Sequence, residues 1–315
     1  MKADVKRFLK SVTVVLVMIV ASDVLCGICF RHLTCSMPDA GSPIARDNFR
    51  MNRSDGADIV VIGSSRAVYH YIPSVIIDSL RENSMDYETV RNFGIDGNMV
   101  ISNACTVESM VSRCSPDIIL FELSESELSD RLEHERDIRT LSPFYSVNPH
   151  AKRYIDDYGF RKRIENISNL NRYNQALFWI VRSLSGAGTD DSNYGYMPLY
   201  GTIEAPDSYD ESVIGTITLG RSFDDYSERH FRDVVKVCKN KGIRLIVVSS
   251  PKFRRQENND GLARLLEELD VPFINFYNTE YFDRHPELFN DYAHLNDEGA
   301  HLFSGLLFTA LKPYL

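Results

Sequence analysis

Tryptophan occurs once in the 315 residues, and basic side chains are outnumbered, 35 against 44 acids. No repeat and no low-complexity tract is present, and with 43% apolar residues the chain is neither disordered nor collagen-like. The shortage of bases is also uneven. Lys2, Lys6, Arg7 and Lys10 face only Asp4 in the first ten residues, which leaves 31 bases against 43 acids, a net of −12, for the rest. An acidic body repels phosphate backbones, which nucleic-acid binders hold through clustered Lys and Arg, and this argues against nucleic acid as a partner. Length alone permits one large α/β domain or two smaller ones.

Cysteine is scarce too, at six residues, and no disulfide framework is legible. Cys26 and Cys29 have CxxC spacing but lie in an apolar stretch, where packing is a better account than redox or zinc chemistry. Cys35 has no obvious partner. Cys105 and Cys114 either pair in an oxidising compartment or stay as buried thiols, and Cys238 reads as a helix-face residue. The apolar stretch runs from Ser11 to Phe30 with Asp23 as its one charge. A spanning helix needs ~20 largely apolar residues, and bases before it set a cytoplasmic N-terminus. Val12 to Ala21, with small residues at Val20-Ala21-Ser22, also fits a cleaved signal peptide, but the apolar run resumes at Val24, which cleavage does not require. Residues 1–30 are therefore read as a membrane anchor or signal segment and 31–54, with Pro38, Gly41 and Pro43, as a linker. The body, 55–315, is expected outside the cytoplasm, either anchored to an inner membrane or exported to the cell envelope.

The body alternates strand and helix. Asp58-Ile-Val-Val-Ile-Gly63 is a short apolar run ended by Gly, as a buried parallel strand should be. Strands are also expected at 89–93, 117–123, 243–248 and 272–276, with helices at 73–83, 100–114, 223–241, 260–269 and 298–311. This order favours a parallel sheet with helices on both faces. Between about 124 and 220 regularity lapses, with helical patches at 150–168 and 171–185 and a loop at 186–193, so this tract reads as a largely helical insertion.

Three spots bear on chemistry. Gly63-Ser64-Ser65-Arg66 follows the first strand, where a serine hydroxyl stands clear of the sheet as an acyl-transfer nucleophile must; capping of the next helix is the competing role. Asp291-Tyr-Ala-His294 precedes the last helix, and a carboxylate three residues before an imidazole can fix its tautomer and stabilise the imidazolium. Asn92-Phe-Gly94-Ile-Asp-Gly97-Asn98 follows the second strand, where a glycine lets a backbone N–H approach an oxyanion. Each signal alone is weak. Together they sit at the ends of strands in one sheet, in the order Ser, Asp, His. The Gly-x-Ser-x-Gly elbow of α/β-hydrolases does not fit, since Ala67 takes the last place and Asp and His are not well separated.

This pattern resembles the SGNH/GDSL hydrolase and acyltransferase superfamily, particularly its exported bacterial members, to which Gly63-Ser-Ser-Arg-Ala-Val-Tyr-His-Tyr-Ile-Pro73, Gly195-Tyr-Met-Pro198 and His294-Leu-Asn296 are similar. The resemblance covers roughly 55–123 and 223–315. It implies a three-layer α/β/α, flavodoxin-like fold, with Ser65 as nucleophile, Asp291 and His294 completing a triad, and the N–H groups of Ser65 and Gly97 binding the oxyanion. The Asn that usually completes the oxyanion hole after the third strand is missing, because the chain reads Glu122-Leu-Ser124-Glu125 there; the Ser124 hydroxyl or Asn98 is left to substitute. The resemblance further implies a serine esterase or O-acyltransferase acting on acylated carbohydrate or a small ester, with no cofactor and with room for an envelope acyl-transfer partner protein. The alternative is a catalytically weak or inactive member that serves as a binding or assembly partner in envelope polysaccharide modification. Arg66 either neutralises an anionic substrate group or forms an internal salt bridge, His70 either walls the pocket or packs, and Tyr196 either stacks on sugar or packs. The carboxylates from Glu122 to Asp130 read as a solvated surface rather than a glycosidase pair. His285, Asp291, His294 and His301 lack metal-site spacing, and no metal is expected.

Overall fold

The structure is a computed structural model, and it describes residues 2–35, 57–129, 134–174, 177, 193–203, 223–253, 259–277 and 279–315. It begins with a long helix, α1 (Lys2–Cys35), which carries the apolar stretch and continues past Phe30. Arg31 to Cys35, expected to open the linker, therefore belong to this helix, because nothing before Pro38 breaks it. The rest of the expected linker, 36–54, lies outside the described residues.

Five strands form the sheet: β1 (Ile59–Ile62), β2 (Val90–Asn92), β3 (Ile118–Glu122), β4 (Arg244–Ser249) and β5 (Phe273–Asn275). Their order is β2-β1-β3-β4-β5 and every pairing is parallel. All four residues of β1 are fully buried, which is why the strand is apolar throughout rather than alternating. Val60, Ile62, Ile119, Phe121, Leu245 and Val247 face one helical layer, while Ile59, Val61, Ile118, Leu120, Ile246 and Val248 face the other. The first layer holds α4 (Val100–Val111), α10 (Asp225–Lys241) and α11 (Asp260–Glu268). The second holds α3 (Pro73–Glu82) and α13 (Asp297–Leu311). The architecture is thus three layers, α/β/α, as the alternation of elements requires.

Between β3 and α10 the described part of the insertion is helical: α5 (Glu125–Ser129), α6 (His134–Thr140), α7 (Pro149–Tyr158), α8 (Phe160–Glu165) and α9 (Asn169–Tyr173). The single helical patch expected over 150–168 is broken at Gly159, whose φ of +150° no helix accommodates. The patch at 171–185 is helical as far as Tyr173, and most of it, with the loop at 186–193, lies outside the described residues. The insertion does not sit only beyond the strand ends. Ile138, Leu141, Phe144, Ala151, Tyr154 and Ile155 join the core of the first layer. Cys105, Cys114 and Cys238 are free thiols, the first and last fully buried.

The irregular segment 193–203 closes the β2 edge of the sheet. Asn92 N–H donates to Tyr194 O (2.9 Å), and Met197 N–H donates to Val68 O (3.2 Å). An uncovered edge would offer its unpaired backbone to other chains. Gly195 makes the approach possible: its φ is +98°, and a Cβ there would lie 2.0 Å from Asn92 O. Gly195→Ala is expected to destabilise the fold by at least about 1–3 kcal/mol, read as a lowered urea midpoint.

Candidate active site

The helix α2 (Ser65–His70) opens directly after β1. Ser64 occupies the N-cap position, yet its side chain makes no capping bond. Ser65 is the first helical residue, so its N–H has no acceptor within the helix. Its Oγ lies 2.7 Å from His294 Nε2. His294 Nδ1 lies 2.9 and 3.0 Å from the two carboxylate oxygens of Asp291. The structure brings Ser65, His294 and Asp291 together, and Ser65 is not the capping residue of α2.

The Asp291–His294 turn is self-supporting. Asp291 Oδ1 also accepts the backbone N–H groups of Ala293 (2.7 Å) and His294 (2.9 Å), and the Asn290 N–H donates to His294 O (2.9 Å). Partial burial works to raise the Asp291 pKa, but the bonds from His294 and these amides outweigh it and hold the carboxyl below its ordinary value. The ionised carboxylate keeps the Nδ1 proton in place, leaving Nε2 to face Ser65. Tyr69 packs edge-on against the His294 ring at 5.3 Å.

His70 was a candidate for the pocket wall, and it has a different place. It is fully buried and does not line the cavity. Its Nε2 accepts the Leu295 N–H (3.0 Å), so its Nδ1–H donates to Ser250 Oγ (2.8 Å). Burial, with His294 and Arg66 nearby, pushes its pKa well down and keeps it neutral. It thus positions the residue that follows His294. Tyr196 likewise packs rather than stacking on a ligand: it is 6% exposed and donates to Asp297 Oδ1 (2.7 Å), pinning the start of α13.

A cavity of about 300 Å³ opens at Ser65 and His294, bounded by Gly97, Asn98, Ser124 and Arg66. Gly97 has φ +80° and packs against the Arg136 guanidinium. Asn98 is 2% exposed and lines the cavity. Ser124 is committed elsewhere: its N–H (2.8 Å) and its hydroxyl (3.0 Å) both meet Glu127 Oε2. Arg66 lines the cavity, but its Nη2 donates to Glu127 (2.8 Å) and its Nη1 lies 3.2 Å from Glu122. Its internal salt bridges leave it a wall rather than a free anion receptor.

The carboxylates from Glu122 onward are not a solvated surface. Glu122 is 1% exposed and receives the Tyr71 hydroxyl and the Ser250 N–H (3.1 Å). Glu125 caps α11 through the N–H groups of Gly261 (2.7 Å) and Leu262 (3.1 Å). Asp130 lies outside the described residues. Sequence reasoning also missed Asp137, a buried carboxylate on α6 that accepts from the N–H groups of Met99 (2.9 Å), Ile101 (2.8 Å) and Ser102 (3.1 Å). It fixes the loop carrying Gly97 and Asn98 at the head of α4. Arg136 and Lys252, both lining the cavity, were missed as well; no local motif marks them.

No family model matches the chain, and no curated protein matches it. The matches are among solved structures of esterases, lipases and acylhydrolases. One is an acetyl xylan esterase, at 13% identity and TM-score 0.40, covering 80% of this chain and 99% of that one. Another is a two-domain esterase active on acetylated mannans, at 14% identity and TM-score 0.43, covering 87% and 55%. A third is a GDSL-like lipase from Bacteroides thetaiotaomicron, at 14% identity and TM-score 0.35, covering 82% and 88%. Likenesses this distant decide nothing about function, which rests on the geometry above.

Burial raises the Glu122 carboxyl from 4.5 to about 7, although Arg66 and Tyr71 pull the other way. Between those values the folded protein holds a proton that the unfolded chain releases, so stability falls as pH rises through this window. In Glu122→Gln that slope disappears. The stability difference should therefore move in favour of the variant as pH rises from 4.5 to about 7, by on the order of 3 kcal/mol, and stay level above it. Urea unfolding of both proteins across this range checks it, and a difference that does not vary with pH would contradict it.

Proposed function

We propose that the protein is a membrane-anchored, extracytoplasmic serine esterase or O-acyltransferase acting on acylated carbohydrate. The observation that carries the catalytic part is the 2.7 Å contact between Ser65 Oγ and His294 Nε2, with Asp291 behind the ring. In this reading Ser65 Oγ attacks the ester carbonyl while its proton passes to His294 Nε2. The imidazolium, steadied by Asp291, returns that proton to the departing alkoxide. Water or a sugar hydroxyl then attacks the acyl-enzyme, again with His294 as base. The N–H groups of Ser65 and Gly97 hold the oxyanion, and Asn98 supplies the side-chain donor, because Ser124 is held by Glu127.

Acylated carbohydrate as the substrate class follows from the motif resemblance together with the apolar N-terminal helix, which is long enough to cross a bilayer. The occupied Ser124 favours the second reading, a catalytically weak assembly partner in envelope polysaccharide modification, if Asn98 does not donate. The two readings separate on one set of variants.

Ser65→Ala should abolish labelling by a fluorophosphonate probe and lower acetyl release from p-nitrophenyl acetate by at least about 10³-fold. Asn98→Ala should lower kcat about 10²–10³-fold, while Ser124→Ala changes it little. Equal labelling of wild type and Ser65→Ala would sink the nucleophile assignment. Acetyl release absent from the wild-type protein would favour the assembly role.

A further inference from the structure

The apolar helix α1 does not stand apart from the body. Asp23, the one charge in its apolar stretch, accepts four hydrogen bonds from the start of α9: Ser168 Oγ (2.7 Å), Asn169 N (2.9 Å), Asn169 Nδ2 (2.9 Å) and Leu170 N (3.0 Å). The Phe30 ring meets Tyr173 at 5.4 Å, two turns further along α1 and one turn further along α9. A carboxylate within an apolar span needs such partners, and here the body provides them.

That contact fixes the height of the body. The helix rises about 20 Å between Lys10, the last of the N-terminal bases, and Asp23. The hydrocarbon core of a bilayer measures ~30 Å. With the bases at the inner headgroups, Asp23 and the turn it caps do not clear the outer boundary. On α8 and up to the start of α9 the body exposes large apolar side chains: Phe160 (73%), Ile164 (50%), Ile167 (69%) and Leu170 (46%). Phe160 and Ile164 are one turn apart on α8, with Arg161 and Arg163 between them. Apolar side chains interleaved with bases are what a helix lying in a membrane interface presents.

A polar cavity of about 180 Å³ lies between the insertion helices, lined by Arg139, Ser142, Glu165, Asn171, Arg172 and Asn174. Arg172 is 8% exposed, and its Nε is buried without a hydrogen-bond partner among the described residues. The bases interleaved with these apolar side chains, on a face of the body tied to the helix that enters the bilayer, favour phospholipid over an apolar protein surface as the occupant.

We propose that the α8–α9 face of the insertion is a lipid-contact surface, seated in the outer leaflet of the bilayer that α1 enters. This rests on reading α1 as a retained anchor. The insertion then holds the catalytic body against the membrane instead of leaving it on a flexible tether.

The test uses the full chain with its one Trp, Trp179, changed to Phe, reconstituted in phosphatidylcholine vesicles with or without brominated acyl chains. Phe160→Trp and Ile167→Trp report on the face, and Tyr281→Trp, on α12 (Glu280–Asp283) against the opposite layer, is the control. Brominated lipid is expected to quench Trp at 160 and 167 several-fold more than at 281. Equal quenching at the three positions, in protein that survives an alkaline wash, overturns the proposal but leaves the anchor intact. A face reserved for another protein gives that same result in pure lipid vesicles. Release of the chain by the wash overturns the anchor reading, and the proposal with it.

Discussion

A carboxylate shut off from water sits at the end of the central strand, and the site is organised by what must satisfy it. Glu122 draws the Tyr71 hydroxyl and the Arg66 guanidinium from α2 and the Ser250 N–H from the end of β4. A buried acid left without these partners would cost several kcal/mol, so the elements around it have little freedom to shift. The constraint passes outward in two directions. Through Arg66 and Glu127 it reaches Ser124 in the cavity wall. Through Ser250 and His70 it reaches Leu295, and so sets the turn that carries His294.

Parallel pairing explains why these groups meet at all. Every strand of the sheet points the same way, so the segments after β1, β2, β3 and β4 emerge on one edge. With the order β2-β1-β3, connections leave β1 and β3 toward opposite layers, and the crevice between them is where open α/β sheets bind ligands. Ser65 follows β1, Gly97 and Asn98 follow β2, and Ser124 follows β3, all around that crevice. The Asp291–His294 turn comes from farther along the chain, and the insertion helps hold it, through Tyr196 on Asp297 and Leu199 O on the Asp297 N–H (2.8 Å).

The sheet and the three catalytic candidates were legible because their signals are local. Buried parallel strands leave short apolar runs, and a serine after a strand or an Asp three residues before a His can be read without knowing what lies nearby. The misreadings share one cause: they concern side chains whose role depends on distant partners. His70 looked like pocket lining until Ser250 and Leu295 claimed both its nitrogens. The glutamates after β3 looked solvated because charge in a short loop usually is, whereas Glu122 and Glu125 are answered by groups more than a hundred positions away. Asp137 left no trace in the sequence, since an acid in a charged helix resembles its neighbours until the head of α4 is placed on it. Asp23 was equally opaque: one acid in an apolar stretch says that a partner exists, but not which.

Ser65 and His294 are separated by 229 positions along the chain. Closing a contact that distant carries the entropy cost of a long loop, which the packing of the elements between must offset. On the proposed reading the nucleophile is made early in synthesis, and its base only with the segment before the last helix. On the anchored reading, the N-terminal segment enters the membrane while the C-terminal turn is still unmade. On the proposed reading, the order of the chain therefore gives Ser65 its base only after nearly the whole body has been made.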